Sequence, residues 1–258
     1  MRLLRRKTSI KPLLRDRPLT AFDEVIYAVG DIHGRKDLLD KLMSSIMADF
    51  ATSKAKVSFP LKGRIVFLGD YVDRGPDSCG VISALVSLNI PEIDIICLKG
   101  NHEAVMLSQL DDPSAFRAWL RHGGVETLLS YGITVDPNAE PEVLEAARQR
   151  FCQNFPEEHR LFLESLISYY HQAPLFFVHA GVDPQKPLKM QDDDDYLWVR
   201  DAFLSSQKPL EAIIVHGHTP QGEPSWDGRR IGLDTGAYFT NRLNSAKIYG
   251  KQVEFIST

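Results

Sequence analysis

Eight polar residues stand out because each follows a short apolar segment and each could bind a metal ion or transfer a proton. They are Asp31, His33, Asp70, Asp73, Asn101, His102, His179 and His218. Oxygen and imidazole ligands suit divalent ions such as Mn²⁺, Fe²⁺ or Zn²⁺, and the absence of cysteine from the set argues against a structural zinc knot. Carboxylates gathered without a cation would repel one another. The ligand types and their number therefore predict a centre of two divalent ions, with Mn²⁺ favoured and iron or zinc as alternatives.

The apolar segments that precede these residues are typical of buried β-strands. They are short, rich in β-branched or aromatic residues and bounded by glycine, and they lie within residues 25–34, 64–75, 93–103, 175–181 and 212–219. Helical patterns over residues 35–50 and 78–89 separate the first three segments. This alternation predicts an α/β fold with a mostly parallel sheet, in which ligands bind beyond the carboxyl ends of the strands. The strands would therefore bring the polar residues to one site.

The remaining segments predict elements around that site. Helix-like patterns from about residue 104 to 171 predict a helical insertion, with Gly123 and Gly124 interrupting one helix. Short apolar segments after Thr219 predict late strands in a second sheet. The acidic run Asp192–Asp195 predicts a solvated loop.

Composition limits the class of protein. The chain has 258 residues, 43% of them hydrophobic, and a net charge of −4, which argues against a partner that is a nucleic-acid polymer. No apolar segment approaches the ~18 residues needed to span a membrane. Three cysteines without a CxxC pair favour a reduced, cytoplasmic protein. Residues 1–20 are basic but lack the apolar segment of a secretion signal, so they predict a flexible arm before a single domain at residues 21–258.

Five motifs resemble those of the phosphoprotein phosphatase (PPP) family of calcineurin-like metallophosphoesterases, in its bacterial serine/threonine protein phosphatase-like branch. In order they are GDIHG, GDYVDRG, GNHE, HAG and GHT, between Gly30 and Thr219. The resemblance implies an α/β/β/α sandwich of two mixed β-sheets flanked by helices, with a helical insertion. It also implies hydrolysis of a phosphoprotein or a small phosphomonoester by direct attack of a water or hydroxide held by the metals.

The resemblance implies a role for each metal ligand. Asp70 would bridge two ions, which a shared carboxylate holds about 3.5–4 Å apart. The other ligands would be Asp31 and His33 for the first ion and Asn101, His179 and His218 for the second.

Further residues are implied to act on the substrate. His102 would be the general acid that protonates the leaving oxygen, and Asp73 would orient it. Arg74, Asn101 and Arg200, the last in the segment LWVR, would bind the phosphate. The planar guanidinium suits phosphate oxygens better than a lysine ammonium does.

Two alternative functions stay open. A symmetrical dinucleoside polyphosphate (diadenosine tetraphosphate) hydrolase would share the metal core. That branch typically lacks the aspartate at Asp73 and has aspartate in place of Glu103, so both residues favour the protein phosphatase-like branch. A catalytically silent metal-binding scaffold is disfavoured by the intact ligands, acid and arginines. The chain has no counterpart of the long C-terminal groove segment of eukaryotic phosphatases, so small phosphomonoesters remain possible substrates.

Other polar residues are predicted to be structural. Asp77 is expected to cap the helix after Pro76. His216 shares a face with His218 in an extended chain and is expected to support that ligand. Asp234 is expected to cap a turn, with orientation of a metal ligand as the less favoured alternative. Three histidines are predicted to be structural or at the surface: His122, His159 and His171. The RHGG segment could nevertheless bring His122 to the substrate.

Overall fold

Ten β-strands form two mixed sheets of five strands each in the computed structural model, which describes residues 17–258. The strands are β1 (Glu24–Val29), β2 (Lys62–Phe67), β3 (Ile93–Cys97), β4 (Tyr169–Gln172), β5 (Leu175–Val178), β6 (Ile213–His216), β7 (Ser225–Trp226), β8 (Arg230–Gly232), β9 (Asn244–Tyr249) and β10 (Gln252–Ser257). The first sheet has the order β10-β9-β1-β2-β3, and the second has the order β4-β5-β6-β8-β7.

Ten α-helices accompany the strands within the described residues. They are α1 (Lys36–Ala55), α2 (Ser78–Val86), α3 (Asn101–Asp111), α4 (Phe116–Trp119), α5 (Val125–Ser130), α6 (Pro141–Asn154), α7 (Glu157–Glu164), α8 (Asp193–Trp198), α9 (Asp201–Leu204) and α10 (Ala237–Thr240). The predicted cap of α2 is confirmed, since the Asp77 carboxylate accepts the Gly80 N–H at 2.8 Å. No helix of residues 17–258 is both long and apolar enough to cross a membrane.

The alternation of side chains along the strands builds three apolar layers. Ile26, Val66 and Phe177 face the space between the two sheets and are fully buried there. Alternate residues of the first sheet, such as Ile65, pack against α1, α2 and the helical insertion. The outer face of the second sheet packs against the segment around Phe203. The predicted α/β/β/α sandwich is therefore confirmed.

The parallel strands end level with one another, and this places the site. In the registers of the first sheet, Val29 pairs with Phe67 and Phe67 with Cys97. The chain leaves all three strands at the same edge, so the segments that carry the first three motifs emerge side by side. In the second sheet β5 and β6 are also parallel, and they carry the last two motifs.

Two sequence interpretations are wrong, and both errors concern the C-terminal half. The last two strands join the first sheet, where β9 pairs antiparallel with β1, and only β7 and β8 extend the second sheet. Asp192–Asp195 is not a loop, because the Asp192 side chain accepts the Asp195 N–H and caps α8. Three acidic residues in the first turn suit the positive end of the helix dipole.

The structure defines the extent of the helical insertion and describes the last residues of the basic arm. Helices begin at Asn101 and continue to Glu164, and β4 follows them. A π-helical turn, Leu120–Gly124, lies between α4 and α5, and non-helical angles at Gly123 confirm the predicted interruption. Residues 1–16 of the basic arm lie outside the described residues. Leu19 is buried between the sheets.

Candidate metal centre

Asp70 is shared by two groups of buried side chains that could each hold a metal ion. The groups are His33, Asp70 and His102, and Asp70, His179 and His218, with the ligand atoms of each group within 4.8 Å of one another. His33 Nε2 lies 3.4 Å from Asp70 Oδ2, and His179 Nε2 lies 3.4 Å from Asp70 Oδ1. One carboxylate oxygen therefore faces each group, as a bridge between two ions requires.

The hydrogen bonds of two histidines fix where their lone pairs point. Nδ1 of His33 lies 2.9 Å from the Val72 carbonyl oxygen, and Nδ1 of His179 lies 2.9 Å from that of Leu68. A carbonyl only accepts, so each Nδ1 carries the proton and each Nε2 presents a lone pair. Burial is the main cause that lowers the pKa of His33 to about 3 and also lowers that of His179, which keeps both rings neutral. Lone pairs aimed at a carboxylate suit a cation between them.

The second group brings three polar side chains, Asn101, His179 and His218, to one point beside Asp70. Asn101 Oδ1 lies 2.9 Å from His179 Nε2 and 2.9 Å from His218 Nδ1. His218 Nε2 accepts the Arg200 Nε–H at 2.9 Å, so the neutral ring carries its proton on Nδ1, which faces the asparagine oxygen. The oxygen and the His179 lone pair converge on one point, so these three side chains fit a divalent ion.

Buried negative charge gives a further reason for cations here. Both Asp31 oxygens accept the His218 N–H, at 3.0 and 3.1 Å. Burial, followed by the charges of Asp234 and Asp70, raises the pKa of Asp31 well above its usual range. Burial also raises the pKa of Asp234 to about 6. Three carboxylates in an apolar surrounding are mutually destabilising unless positive charge compensates them. The residues present therefore fit a dinuclear centre.

Asp234 caps a turn and also carries a charge that acts on Asp31. Its Oδ1 accepts the Gly236 N–H at 2.8 Å, so the predicted turn is confirmed. Its charge acts on Asp31, which lies more than 200 positions earlier in the chain. Sequence alone carries no signal for this effect of Asp234 on Asp31.

Several site residues have a left-handed backbone that only glycine adopts readily. Their φ values run from 46° to 71° at His33, Asp70, Asp73, Arg74 and His218. Each such residue costs about 1–3 kcal/mol and persists only where the surroundings impose it. The loops after the strands are therefore strained into place.

Glu103 is one of the groups that imposes this backbone. Its carboxylate accepts four backbone N–H groups, from Asp70, Tyr71, Val72 and Gly100, at 2.7–3.2 Å. It thus ties the GNHE segment to the GDYVDRG segment. Burial and the charge of Asp70 raise the pKa of Glu103 to about 7, while the N–H donors oppose that rise. No supporting role was predicted for Glu103 from the sequence, although an acidic residue in the first turn of a helix is a signal for such hydrogen bonds.

His102 has the contacts of a proton donor. Its Nδ1 lies 2.7 Å from Asp73 Oδ2, and its Nε2 is 4.0 Å from Asp70 Oδ2. Burial opposes protonation of His102, but the charges of Asp70 and Asp73 outweigh burial and raise its pKa. The two carboxylates therefore favour the doubly protonated ring.

The two arginines lie beside the two groups of ligands. Arg74 stacks on the Tyr238 ring, 5.1 Å from its centre, and donates toward His33 Nε2 at 3.3 Å. Both arginines border a cavity of about 370 Å³ next to His102. The cavity is lined by Arg74, Asn101, His102, Val105, Ala115, Ala118, Trp119, His122, Trp198 and Arg200.

Of the remaining four histidines, one lines the cavity and the other three belong to neither ligand group. His122 lines the cavity and its Nδ1 donates to the Ala118 carbonyl at 2.7 Å. His216 is buried against the Phe203 ring and is in neither group of ligands. His159 is buried under α2 and His171 lies on β4.

The fold and the paired ligand groups define a metallophosphoesterase. The family model for calcineurin-like phosphoesterases matches residues 25–248, so the chain belongs to that family.

Relatives of known name carry the comparison further. The chain is similar to the asymmetrical bis(5'-nucleosyl)-tetraphosphatase PrpE of Bacillus mycoides, with 28% identity over 247 residues that cover 85% of this chain and 88% of that protein. Its fold resembles a crystal structure of a provisionally assigned diadenosine tetraphosphatase, with a TM-score of 0.60, 20% identity and coverage of 93% and 96%. It also resembles a cold-active protein-tyrosine phosphatase of a Shewanella species, with a TM-score of 0.52, 14% identity and coverage of 90% and 82%. These structural likenesses concern the fold alone.

Proposed function

We propose that the protein is a dimetal phosphomonoesterase that uses His102 as its general acid. The observation that carries the proposal is the contact of His102 Nδ1 with Asp73, at 2.7 Å, directly beside a carboxylate shared by two ligand groups. In this proposal the metal ligands are Asp31, His33, Asp70, Asn101, His179 and His218. When bound, two divalent ions, with Mn²⁺ favoured, supply Lewis-acid stabilisation of the phosphoryl group and of the attacking water.

The chain's own residues then divide the remaining work. Arg74, Arg200 and the Asn101 amide bind the phosphate oxygens. Because Asp73 holds the Nδ1 proton of His102, the proton on Nε2 is the one available to the leaving oxygen. Asp73 in turn stabilises the charged ring, so that the acid is ready before the substrate binds.

The acid supports phosphomonoesters as the substrate class, including serine and threonine phosphates. An alkoxide is a poor leaving group, and a positioned acid is worth about 10²–10⁴ in rate for it. A nucleotide released from a polyphosphate chain leaves more readily and needs less help from an acid. A dedicated His102–Asp73 contact therefore has more value for an ester than for an anhydride.

A second candidate is hydrolysis of dinucleoside tetraphosphates. It is favoured by the names of the relatives that match most of the chain, and they specify asymmetrical cleavage rather than the symmetrical cleavage considered from sequence. It is also supported by the cavity beside His102, where a nucleobase could lie near the half-exposed Trp198 ring. Asymmetrical cleavage of diadenosine tetraphosphate gives ATP and AMP, and symmetrical cleavage gives two ADP.

A direct competition distinguishes these substrates. A phosphoserine peptide and diadenosine tetraphosphate are offered together to the Mn²⁺-loaded enzyme, and phosphate and nucleotide products are followed by chromatography. We expect a higher kcat/KM for the peptide or for p-nitrophenyl phosphate. A preference of tenfold or more for the dinucleotide, about 1.4 kcal/mol in the transition state, contradicts the phosphomonoesterase proposal. If none of these substrates is hydrolysed faster when metal is added, the result would instead support a catalytically silent scaffold.

A further inference from the structure

The helical insertion delivers two hydrogen-bond donors to Asp73, the residue that holds the proposed acid. Trp119 Nε1 lies 3.0 Å from Asp73 Oδ2 and 3.2 Å from Oδ1. Thr127 Oγ1 donates to Asp73 Oδ1 at 2.6 Å. Neither residue belongs to the strand-end motifs, and no role was predicted for either from the sequence. The Asp73 carboxylate is fully buried, so these contacts are made without competition from water.

Together with His102, the two donors leave Asp73 a single orientation. Thr127 occupies Oδ1, His102 occupies Oδ2, and the indole N–H bridges the two oxygens. Thr127 Oγ1 also accepts the Asp73 backbone N–H at 2.9 Å. One threonine hydroxyl therefore fixes both the backbone and the side chain of a residue whose φ is 71°.

The local structure of the insertion is what brings both donors to one carboxylate. Trp119 ends α4, Thr127 lies in α5, and the π-helical turn between them contains Gly123 and Gly124. A Cβ on Gly124 would lie 2.6 Å from the Trp119 ring, so the ring packs directly on the glycine backbone. The Gly123 carbonyl accepts the Arg74 N–H at 3.1 Å. The turn thus docks beside the second motif with the indole pointing inward.

We propose that Trp119 and Thr127 are positioning residues for proton transfer, which act through Asp73 on His102. The helical insertion is then part of the acid machinery in addition to forming one wall of the cavity. This inference rests on the proposed function of His102 as the acid. Loss of either donor would allow the Asp73 carboxylate to rotate, and the His102 proton would then be displaced from the position that proton transfer requires.

Each variant in the test removes one of the two groups that hydrogen-bond to Asp73. Trp119→Phe keeps an aromatic ring without the N–H, and Thr127→Val replaces the hydroxyl by a methyl group. Thr127→Ser restores the hydroxyl, and Trp226→Phe controls for the exchange of a half-buried tryptophan in β7. With the Mn²⁺-loaded enzyme we expect kcat to fall about tenfold for an alkyl phosphate and at most about threefold for p-nitrophenyl phosphate, because an acid matters more for the poorer leaving group. KM and the number of bound metals should not change, and Thr127→Ser should recover most of kcat.

A double-mutant cycle with His102→Asn separates positioning from a purely structural role. If Trp119 acts through His102, Trp119→Phe should cost little further kcat in the His102→Asn background. An equal loss in both backgrounds, or equal losses for alkyl and aryl phosphates, overturns the proposal. Thermal unfolding of each variant identifies a folding defect, and Trp119→Phe and Thr127→Val test the proposal independently if one fails to fold. If His102→Asn alone shows no dependence on the leaving group, the acid function fails, and that result is distinct from failure of the positioning role.

Discussion

The strand-end half of the site consists of the loops after β1, β2, β3, β5 and β6, whereas the insertion half consists of α4, the π-helical turn and α5. In the strand-end half three of the proposed metal ligands, His33, Asp70 and His218, have a left-handed backbone, and Glu103 accepts the backbone N–H groups of Asp70 and Tyr71. In the insertion half the contacts to the site are mainly side-chain donors, Trp119 and Thr127, that reach a residue of the other half.

The difference indicates a division of labour. Metal ligands must be placed within a few tenths of an ångström, and short loops fixed by backbone hydrogen bonds achieve this. The insertion hydrogen-bonds to Asp73 and to the Arg74 backbone, and it lines the cavity beside the proposed acid His102. Damage to the first half should therefore remove metals, and damage to the second should change the chemistry of an enzyme that still binds them.

The largest effect is expected for Asp70→Asn in the strand-end half. The change removes the only carboxylate shared by both ligand groups, so metal binding and activity should fall together. Loss of several kcal/mol of transition-state stabilisation is a decrease of about 10³-fold or more in kcat/KM. Metal content by elemental analysis and turnover of p-nitrophenyl phosphate measure both. Two ions per chain with normal turnover would show that Asp70 is not the bridge.

Glu103→Gln should destabilise the strand-end half, because Glu103 accepts hydrogen bonds from the backbone of the loop that carries Asp70. A glutamine offers one acceptor oxygen in place of two, and its NH₂ group faces backbone donors that now lack a partner. We expect the free energy of unfolding to fall by about 2–4 kcal/mol and metal affinity to weaken by about 10–100-fold. Urea denaturation and metal titration check this. The control is Glu126→Gln in α5, and wild-type stability of Glu103→Gln would contradict the supporting role.

Gly123→Ala should disturb the insertion half and its contact with Arg74 but leave the proposed metal ligands in place. Gly123 has a φ of 115°, and a Cβ there would lie 2.7 Å from the Arg74 backbone nitrogen. We expect a loss of about 1–3 kcal/mol in stability and a raised KM for phosphate esters, with both metals retained. Gly132→Ala is the matched control, because Gly132 has a φ of 77° with no atom within 4 Å of an added Cβ. Equal changes of KM in the two variants, or loss of metal from Gly123→Ala, would remove the distinction between the halves.

The smallest expected effect is on the pH dependence of the free energy of unfolding, and it arises from His159 in α7. His159 is buried, with Ser83 3.0 Å from Nε2 and Tyr131 2.8 Å from Nδ1, and burial lowers its pKa below the usual 6.5. The folded protein therefore binds fewer protons than the unfolded chain, so stability should be complete above about pH 6.5 and fall as pH drops below it. His159→Gln should have a shallower pH dependence of the urea midpoint between pH 7.5 and 5.5. Parallel curves for the two proteins would contradict the assignment.

The sequence determined the strands that carry the five motifs, the order of those motifs and the residue types at the strand ends, whereas β4 and β7 were not predicted. These features are local: a buried strand is encoded by its own apolar residues, and a glycine with a polar residue marks where it stops. For the same reason Asp77 could be assigned as a helix cap from its neighbours alone. Because parallel strands end at one edge, the sequence also predicted that Asp31, Asp70 and Asn101 would meet.

Tertiary structure decided what depends on partners far away in the chain. The short β9 and β10 carry no signal for which sheet they join; the free edge of β1 beside them settled it. Nor does any local pattern direct Trp119 and Thr127 to Asp73, 46 and 54 positions away, or the backbone N–H groups of residues 70–72 to Glu103. Such contacts form only because packing brings separate elements together and because a buried charge is costly until donors surround it.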